Sequence, residues 1–351
     1  MITETSGNLL RDDAEALVNT VNTVGVMGKG VALQFKRAFP EIFAEYVRAC
    51  EDGRMRPGRV LAIRVSDGRW ILNFPTKRHW RQPSRMEDIR SGLDDLVRHL
   101  TEKRIRSVAI PPLGCGNGGL AWPQVRRLII EKLADLDADV RLYAPGTPAP
   151  SDMPVRTRRP EMTPTRARLI AALHRYAFTA FTSGVTETPR LSLVEAQKVV
   201  YLMQAAGVGL GLRFVRYHYG PFSPELNRRL SDLEGHHLVG YGDGTGGARA
   251  DLEVPSSSAE AADETVAADN TFNTAWKQVR TAISGYEYPE GLELLATLHF
   301  LIADRTDDRL DPPSLVDAIH GWSERKRRLY RRADVEAALV RLKKAELCPS
   351  P

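Results

Sequence analysis

The chain has 351 residues and a mass of 39.1 kDa, which exceeds one ordinary domain and predicts two or three. With 42% hydrophobic and 26% charged residues it carries enough apolar surface to offset chain entropy, which excludes global disorder. Net charge is +5, all of it in the first 150 residues, where 23 Lys and Arg face 18 Asp and Glu; the remainder holds 26 of each. That basic excess suits a phosphate-bearing ligand. No run reaches the roughly 18 apolar residues of a spanning helix, and the N-terminus lacks the form of a secretion signal, so a cytoplasmic location without membrane attachment is expected. Cys50, Cys115 and Cys348 are too scattered to start a disulfide framework or a zinc site, and the eight histidines lack ligand spacing, so neither metal nor cofactor is expected.

In chain order, β-branched runs predict strands over 2–5, 16–22, 60–65, 70–74, 107–111 and 140–143. Apolar residues at helical spacing predict helices over 31–37, 40–52, 85–103 and 121–135. This alternation predicts a three-layer α/β/α domain over 1–147. Six prolines between 145 and 164 mark 148–164 as an extended linker. From 165 to 351 the pattern is mainly α-helical, with predicted helices over 165–181, 272–283, 292–304, 313–322 and 334–345. Ser192 and Glu195 form a capping box, and Ser223 followed by Pro224 starts another helix. A small hairpin is expected from 212–217 and 239–241, and the polar stretch 251–270 reads as a mobile loop or exposed helix.

Three loops at strand ends carry the chemistry. The first, within NTVNTVGVMGKGVALQFKRAFP (19–40), holds Gly25, Gly28, Lys29 and Gly30 before a helix beginning at Val31, where free N–H groups favour anions. It is neither a Walker loop nor a dinucleotide fingerprint, and glycines alone fit a tight turn equally well. The second, PPLGCGNGGLAW (111–122), places Gly114, Cys115, Gly116, Asn117, Gly118 and Gly119 between a strand and a helix, and two such loops on one sheet suit a diphosphate held by main-chain N–H groups. The third, NFPTKRHWRQPSR (73–85), sets Thr76 and Lys77 beside Arg78, His79, Trp80, Arg81 and Arg85. Cations interleaved with an aromatic suit a single-stranded nucleic acid, although such runs also occur as solvated surface.

Segment by segment and in order, these three loops resemble the macrodomains that bind ADP-ribose, and among them the bacterial DarG antitoxin branch. The resemblance covers about the first 145 residues. It implies a mixed six-stranded sheet and removal of ADP-ribose from thymidine bases of single-stranded DNA, undoing the modification made by a DarT-type toxin, with ADP-ribose as product. It places Asn8, Leu9 and Leu10 near the adenine, Asn22 near the distal ribose, Gly28 to Val31 and Gly114 to Gly119 around the diphosphate, and Lys77 as the catalytic lysine. Arg78, His79, Trp80, Arg81 and Arg85 would then meet DNA. Two departures stand out: Asn8 replaces the usual Asp, and the 114–119 loop has no carboxylate to activate water.

An amine buried beside other cations has a lowered pKa, because desolvation and like charge both disfavour the ammonium. Neutral Lys77 is a nucleophile for the anomeric carbon; alternatively it orients the ribose and stabilises the leaving base. For the second half, KVVYLMQ (198–204) and FVRYHYGPFSPELNRRLSDLEG (214–235) are similar to the helical antitoxin domain of the same branch, which implies direct toxin binding; a plain helical bundle is the alternative. A rival for the whole is a macrodomain that holds ADP-ribose without cleaving it, leaving neutralisation to protein binding.

Overall fold

The computed structural model describes residues 1–146, 148–304 and 311–348; the boundary placed at 147 and the chain end lie outside the described residues. The chain divides into two compact units, Met1–Arg158 with Gly242–Thr245, and Arg159–Tyr241 with Gly246–Pro351. None of the described helices is long and apolar enough to cross a membrane.

The first unit runs β1 (Ile2–Thr5), β2 (Ala16–Asn22), α1 (Gly30–Ala38), α2 (Glu41–Glu51), β3 (Leu61–Arg64), β4 (Trp70–Lys77), α3 (Met86–Glu102), β5 (Ser107–Ile110), α4 (Trp122–Leu133) and β6 (Asp139–Tyr143). The six strands form one mixed sheet in the order β1-β6-β5-β2-β4-β3, parallel throughout except for β3 against β4. Alternate residues of β2 face opposite layers. Leu17 and Val21 pack with Phe35, Ile42 and Tyr46 of α1 and α2, while Val18 packs with Ile89 and Leu93 of α3 and Val125 of α4. A sheet covered on both faces buries its central strands almost end to end, as it does β2 and β4, with Asn19 and Asn73 paired by a side-chain hydrogen bond (2.9 Å) among the apolar residues. The predicted three-layer α/β/α arrangement with a mixed six-stranded sheet is therefore what the chain forms.

The parallel strands bring the C-terminal ends of β2, β4 and β5 side by side, and all three chemistry-bearing loops start there. β4 runs three residues beyond the predicted end at 74, because Phe74, Pro75 and Thr76 are buried against neighbouring elements and continue the pairing with β2. Near the end the register slips: Val21 pairs with Pro75, but Asn22 pairs with Lys77. This irregularity sets Asn22 beside Lys77.

The second unit comprises α5 (Pro164–Thr182), β7 (Arg190–Ser192), α6 (Leu193–Ala205), β8 (Val215–Tyr217), β9 (Gly220–Phe222), α7 (Pro224–Leu233), β10 (Asp251–Glu253), α8 (Ser256–Val266), α9 (Asn270–Ile283), α10 (Pro289–Ala303), α11 (Pro312–His320), α12 (Glu324–Leu329) and α13 (Arg332–Lys344). The capping box forms as read: Ser192 Oγ accepts from the Glu195 N–H (3.3 Å), and the Glu195 carboxylate accepts from the Ser192 N–H (2.6 Å). Ser223 starts α7, but its hydroxyl turns to the Glu225 carboxylate (2.8 Å) and caps no backbone N–H.

Two expectations are corrected. The hairpin is local, β8 with β9, because Gly220 at φ +95° closes a two-residue turn; Val239 instead bridges to Glu253. Of the two readings of 251–270, the helix is the one that forms, but it is packed on one face rather than exposed. Asp251–Glu253 pairs antiparallel with β7, and Ser256–Val266 buries Ala259, Ala262 and Val266 in the core, since small side chains let a polar-looking helix pack closely.

Beneath the hairpin, the buried Glu293 carboxylate receives the Lys326 ammonium and Arg325 Nη1 (2.6 Å), and Lys326 also donates to Thr297 Oγ1 (3.1 Å). Removing one charge from such a pair strands the other in low dielectric. Glu293→Gln is expected to cost about 3 kcal/mol of stability, read as a lower urea midpoint with unchanged slope; an unshifted midpoint would show that the charge is dispensable.

Candidate active site

Lys77 is the last residue of β4 and half-buried. Its Nζ donates to the Asn117 carbonyl, so the amine reaches the second glycine loop. Burial holds its pKa below the ordinary lysine value, and burial is the sole cause. Arg78, the next residue in the basic cluster, is paired with the buried Asp88 of α3 (3.2 Å). Arg78 thus fastens the third loop to a helix and is less available to a phosphate than its position in the sequence suggests.

The second glycine loop is shaped by packing against Ser84. The Ser84 N–H donates to the Gly118 carbonyl (2.9 Å), and a Cβ on Gly118 would lie 2.2 Å from both Ser84 Oγ and the Gly114 carbonyl oxygen. The loop is closed by Cys115 N–H to Pro112 O (3.2 Å) and Leu120 N–H to Gly114 O (3.0 Å). Between these closures the N–H groups of Gly116, Asn117 and Gly118 have no acceptor among the described residues. Three successive unpaired amides leave main-chain donors available to an anion. Cys115 is half-buried, its thiol pushed up to about 11 by burial, and so stays a neutral thiol.

The first glycine loop adjoins it. A Cβ on Gly30, at φ +63°, would lie 3.1 Å from Asn117 Nδ2. Lys29 is the exposed N-cap of α1, Gly28 is exposed before it, and Val31 is half-buried in the first turn. Within the same unit, the Gly30 N–H donates to the Asp243 carbonyl (3.1 Å), so an oxygen already sits at this helix start. Asn22 is buried, and its amide bonds organise the loop: Oδ1 accepts from the Val24 and Val26 N–H groups, and Nδ2 donates to the Val26 carbonyl. Thr76 is buried, its hydroxyl 3.5 Å from the Val21 carbonyl.

Other predicted residues are placed differently from one another. Asn8 caps the turn Leu9–Arg11, accepting from the Leu10 N–H (3.0 Å), and its Nδ2 donates to the Asp152 carbonyl (2.9 Å); Leu9 and Leu10 are buried in the core. On the third loop Trp80 is 46% exposed, with the His79 ring stacked on it (5.4 Å between centroids) and the Arg81 guanidinium 4.4 Å from its ring centre. Arg85 is exposed at the start of α3. Lys77, Asn22 and the two glycine loops are thus brought together, while Asn8 is engaged by residues near 152.

Three contributors were missed by sequence reasoning. Ser84, Asp88 and Tyr46, whose hydroxyl lies 2.9 Å from the Asn22 carbonyl oxygen, act through contacts made only on folding. Asp88 alone left a trace, as an acid in the first turn of a helix.

A six-stranded mixed sheet bearing paired glycine loops at its parallel strand ends defines a macrodomain, and residues 18–129 match the family model "Macro domain". Over the longer chain, a DNA ADP-ribosyl glycohydrolase of Thermus aquaticus is 44% identical over 329 residues, covering 91% of this chain and 87% of that protein. One from Mycobacterium tuberculosis is 40% identical over 352 residues, covering 97% and 99%. A DNA ADP-ribosyl transferase-DNA ADP-ribosyl glycohydrolase fusion protein of Thermosipho africanus is 36% identical over 157 residues, 40% of each chain. The chain belongs to the DNA ADP-ribosyl glycohydrolases, the DarG family of hydrolases.

Proposed function

We propose that the first unit releases ADP-ribose from thymidine bases of single-stranded DNA, with Lys77 as the catalytic residue, and that the C-terminal unit binds the DarT-type toxin that makes the lesion. The observation that carries this reading is the half-buried Lys77 amine, placed at the Asn117 carbonyl beside three unpaired loop amides. A protein that only held ADP-ribose would have no use for an amine in that place. The fused transferase and glycohydrolase in the Thermosipho africanus relative supports a transferase as partner.

With the diphosphate on the Gly116–118 amides and the distal ribose beside Asn22, the free Lys77 amine attacks the anomeric carbon. The glycosidic bond to thymine breaks, and its electron pair leaves on a ring nitrogen flanked by two carbonyls, which delocalise the charge. The attacking nitrogen gives up a proton to the departing base, the sugar ring opens to a Schiff base, and water then hydrolyses this to ADP-ribose and free lysine. Exposed Trp80, Arg81 and Arg85 offer stacking and phosphate contacts to the strand.

Because only the unprotonated amine attacks, and burial lowers its pKa, release should speed up with rising pH through that lowered pKa. It should level off below the ordinary lysine value of about 10.4. Single-turnover release from a thymidine-modified oligonucleotide, followed across neutral to alkaline pH, checks this; a pH-independent rate would remove the nucleophilic role.

A further inference from the structure

The loop after β2 is organised by Asn22, and Asn22 is itself held by a residue from another element. Tyr46 of α2 brings its hydroxyl to 2.9 Å from the Asn22 carbonyl oxygen and 3.1 Å from its amide oxygen. Tyr46 is fully buried and Asn22 is 7% exposed. A side-chain amide has two N–H donors, and one is used on the Val26 carbonyl. The other is left for a ligand oxygen, and its direction follows from what grips the oxygen end of the amide. The same helix also backs the loop directly, since a Cβ on Gly25 (φ +78°) would be 3.7 Å from Val47 Cγ2 and 3.9 Å from Cys50 Cβ. Burial keeps the Tyr46 phenol protonated, so it remains a donor at any working pH.

We propose that Tyr46 is a positioning residue for the glycohydrolase reaction: its hydroxyl fixes the Asn22 amide so that the remaining N–H meets the distal ribose next to Lys77. The register slip that pairs Asn22 with Lys77 makes this orientation consequential, because a ribose held by that N–H is presented to the amine one strand away. The inference rests on the roles of Lys77 and Asn22 given above. A buried tyrosine hydroxyl needs a partner in any case. What distinguishes this one is that its hydroxyl meets both the carbonyl and the amide oxygen of one residue at the site, and its further partners, the Gly25 backbone and the Cys50 side chain, belong to the same loop and to the helix that backs it.

The test is a double-mutant cycle in the full-length protein, comparing wild type, Tyr46→Phe, Asn22→Ala and the double variant. Release from thymidine-modified oligonucleotide is measured in single turnover with enzyme in excess, so that slow variants remain readable. Active fraction is normalised by ADP-ribose binding stoichiometry, and thermal midpoints are recorded alongside. Tyr46→Phe is expected to slow release about tenfold while the ADP-ribose dissociation constant stays within about twofold. In the Asn22→Ala background it is expected to cost nothing further. An equal loss in both backgrounds would assign Tyr46 a merely structural role, and an undiminished rate in Tyr46→Phe would give it none; either overturns the proposal. Wild-type protein that releases no ADP-ribose would instead overturn the functional reading on which it stands.

Discussion

Lys77→Ala is expected to slow release of ADP-ribose from a thymidine-modified single-stranded oligonucleotide by about 10³-fold or more, while free ADP-ribose binds with an affinity within about threefold of wild type. The reason is a division of labour between the loop and the lysine. On the proposed mechanism the loop amides of Gly116–118 hold the anion whether or not the amine is present, and the half-buried Lys77, whose amine reaches across to the same loop, acts as the nucleophile. Binding shared by ground and transition state leaves the chemical step unaided, so losing the amine removes rate and spares affinity. The measurement pairs single-turnover release with calorimetric titration of ADP-ribose. On the proposed toxin-binding role of the second unit, the same variant should still restrain a DarT-type transferase, because that unit has its own core and does not contain Lys77. Turnover at the wild-type rate would eliminate the catalytic role; loss of toxin restraint together with turnover would tie neutralisation to catalysis alone.

The second large effect is expected at Gly118. An alanine Cβ there would lie 2.2 Å from the Gly114 carbonyl oxygen, which is backbone and cannot turn aside, and 2.2 Å from the Ser84 hydroxyl. The loop must open, and the three unpaired amides are displaced from their present places. Gly118→Ala should therefore weaken ADP-ribose binding about 100-fold, equivalent to roughly 2.8 kcal/mol. The thermal midpoint should fall only modestly, because Gly118 is buried against Ser84 but the strands and helices on either side of the loop keep their own packing. Calorimetry with a parallel melting curve separates the outcomes. Undiminished affinity would place the diphosphate elsewhere, and a collapsed midpoint would make Gly118 a folding residue.

Much of the first unit was legible in the residues themselves. Short β-branched runs and helices with 3.6-residue apolar spacing carry their own signal, so β2 was read to the residue and α1 to α4 to within a residue or two at each end. The glycine loops were legible because four glycines in six positions exceed what a turn needs. The polar stretch 251–270 misled for a definite reason: Ala259 and Ala262 bury little area each, so composition resembles exposed chain even where a helix packs closely. The hairpin misled because short apolar runs state no partner, and Gly220 chose the nearer one.

Local pattern alone determined the class of fold, the order of its elements and the three loops that carry chemistry, because periodicity and turn chemistry are properties of neighbouring residues. Only the tertiary structure decided which of those residues meet. The slip pairing Asn22 with Lys77, the pressing of Ser84 under Gly114 and Gly118, the diversion of Arg78 to Asp88 and the grip of Tyr46 on Asn22 are all contacts between separate segments. Their existence depends on strand register and helix packing, which are settled by the whole buried core, and no short stretch of sequence contains that information.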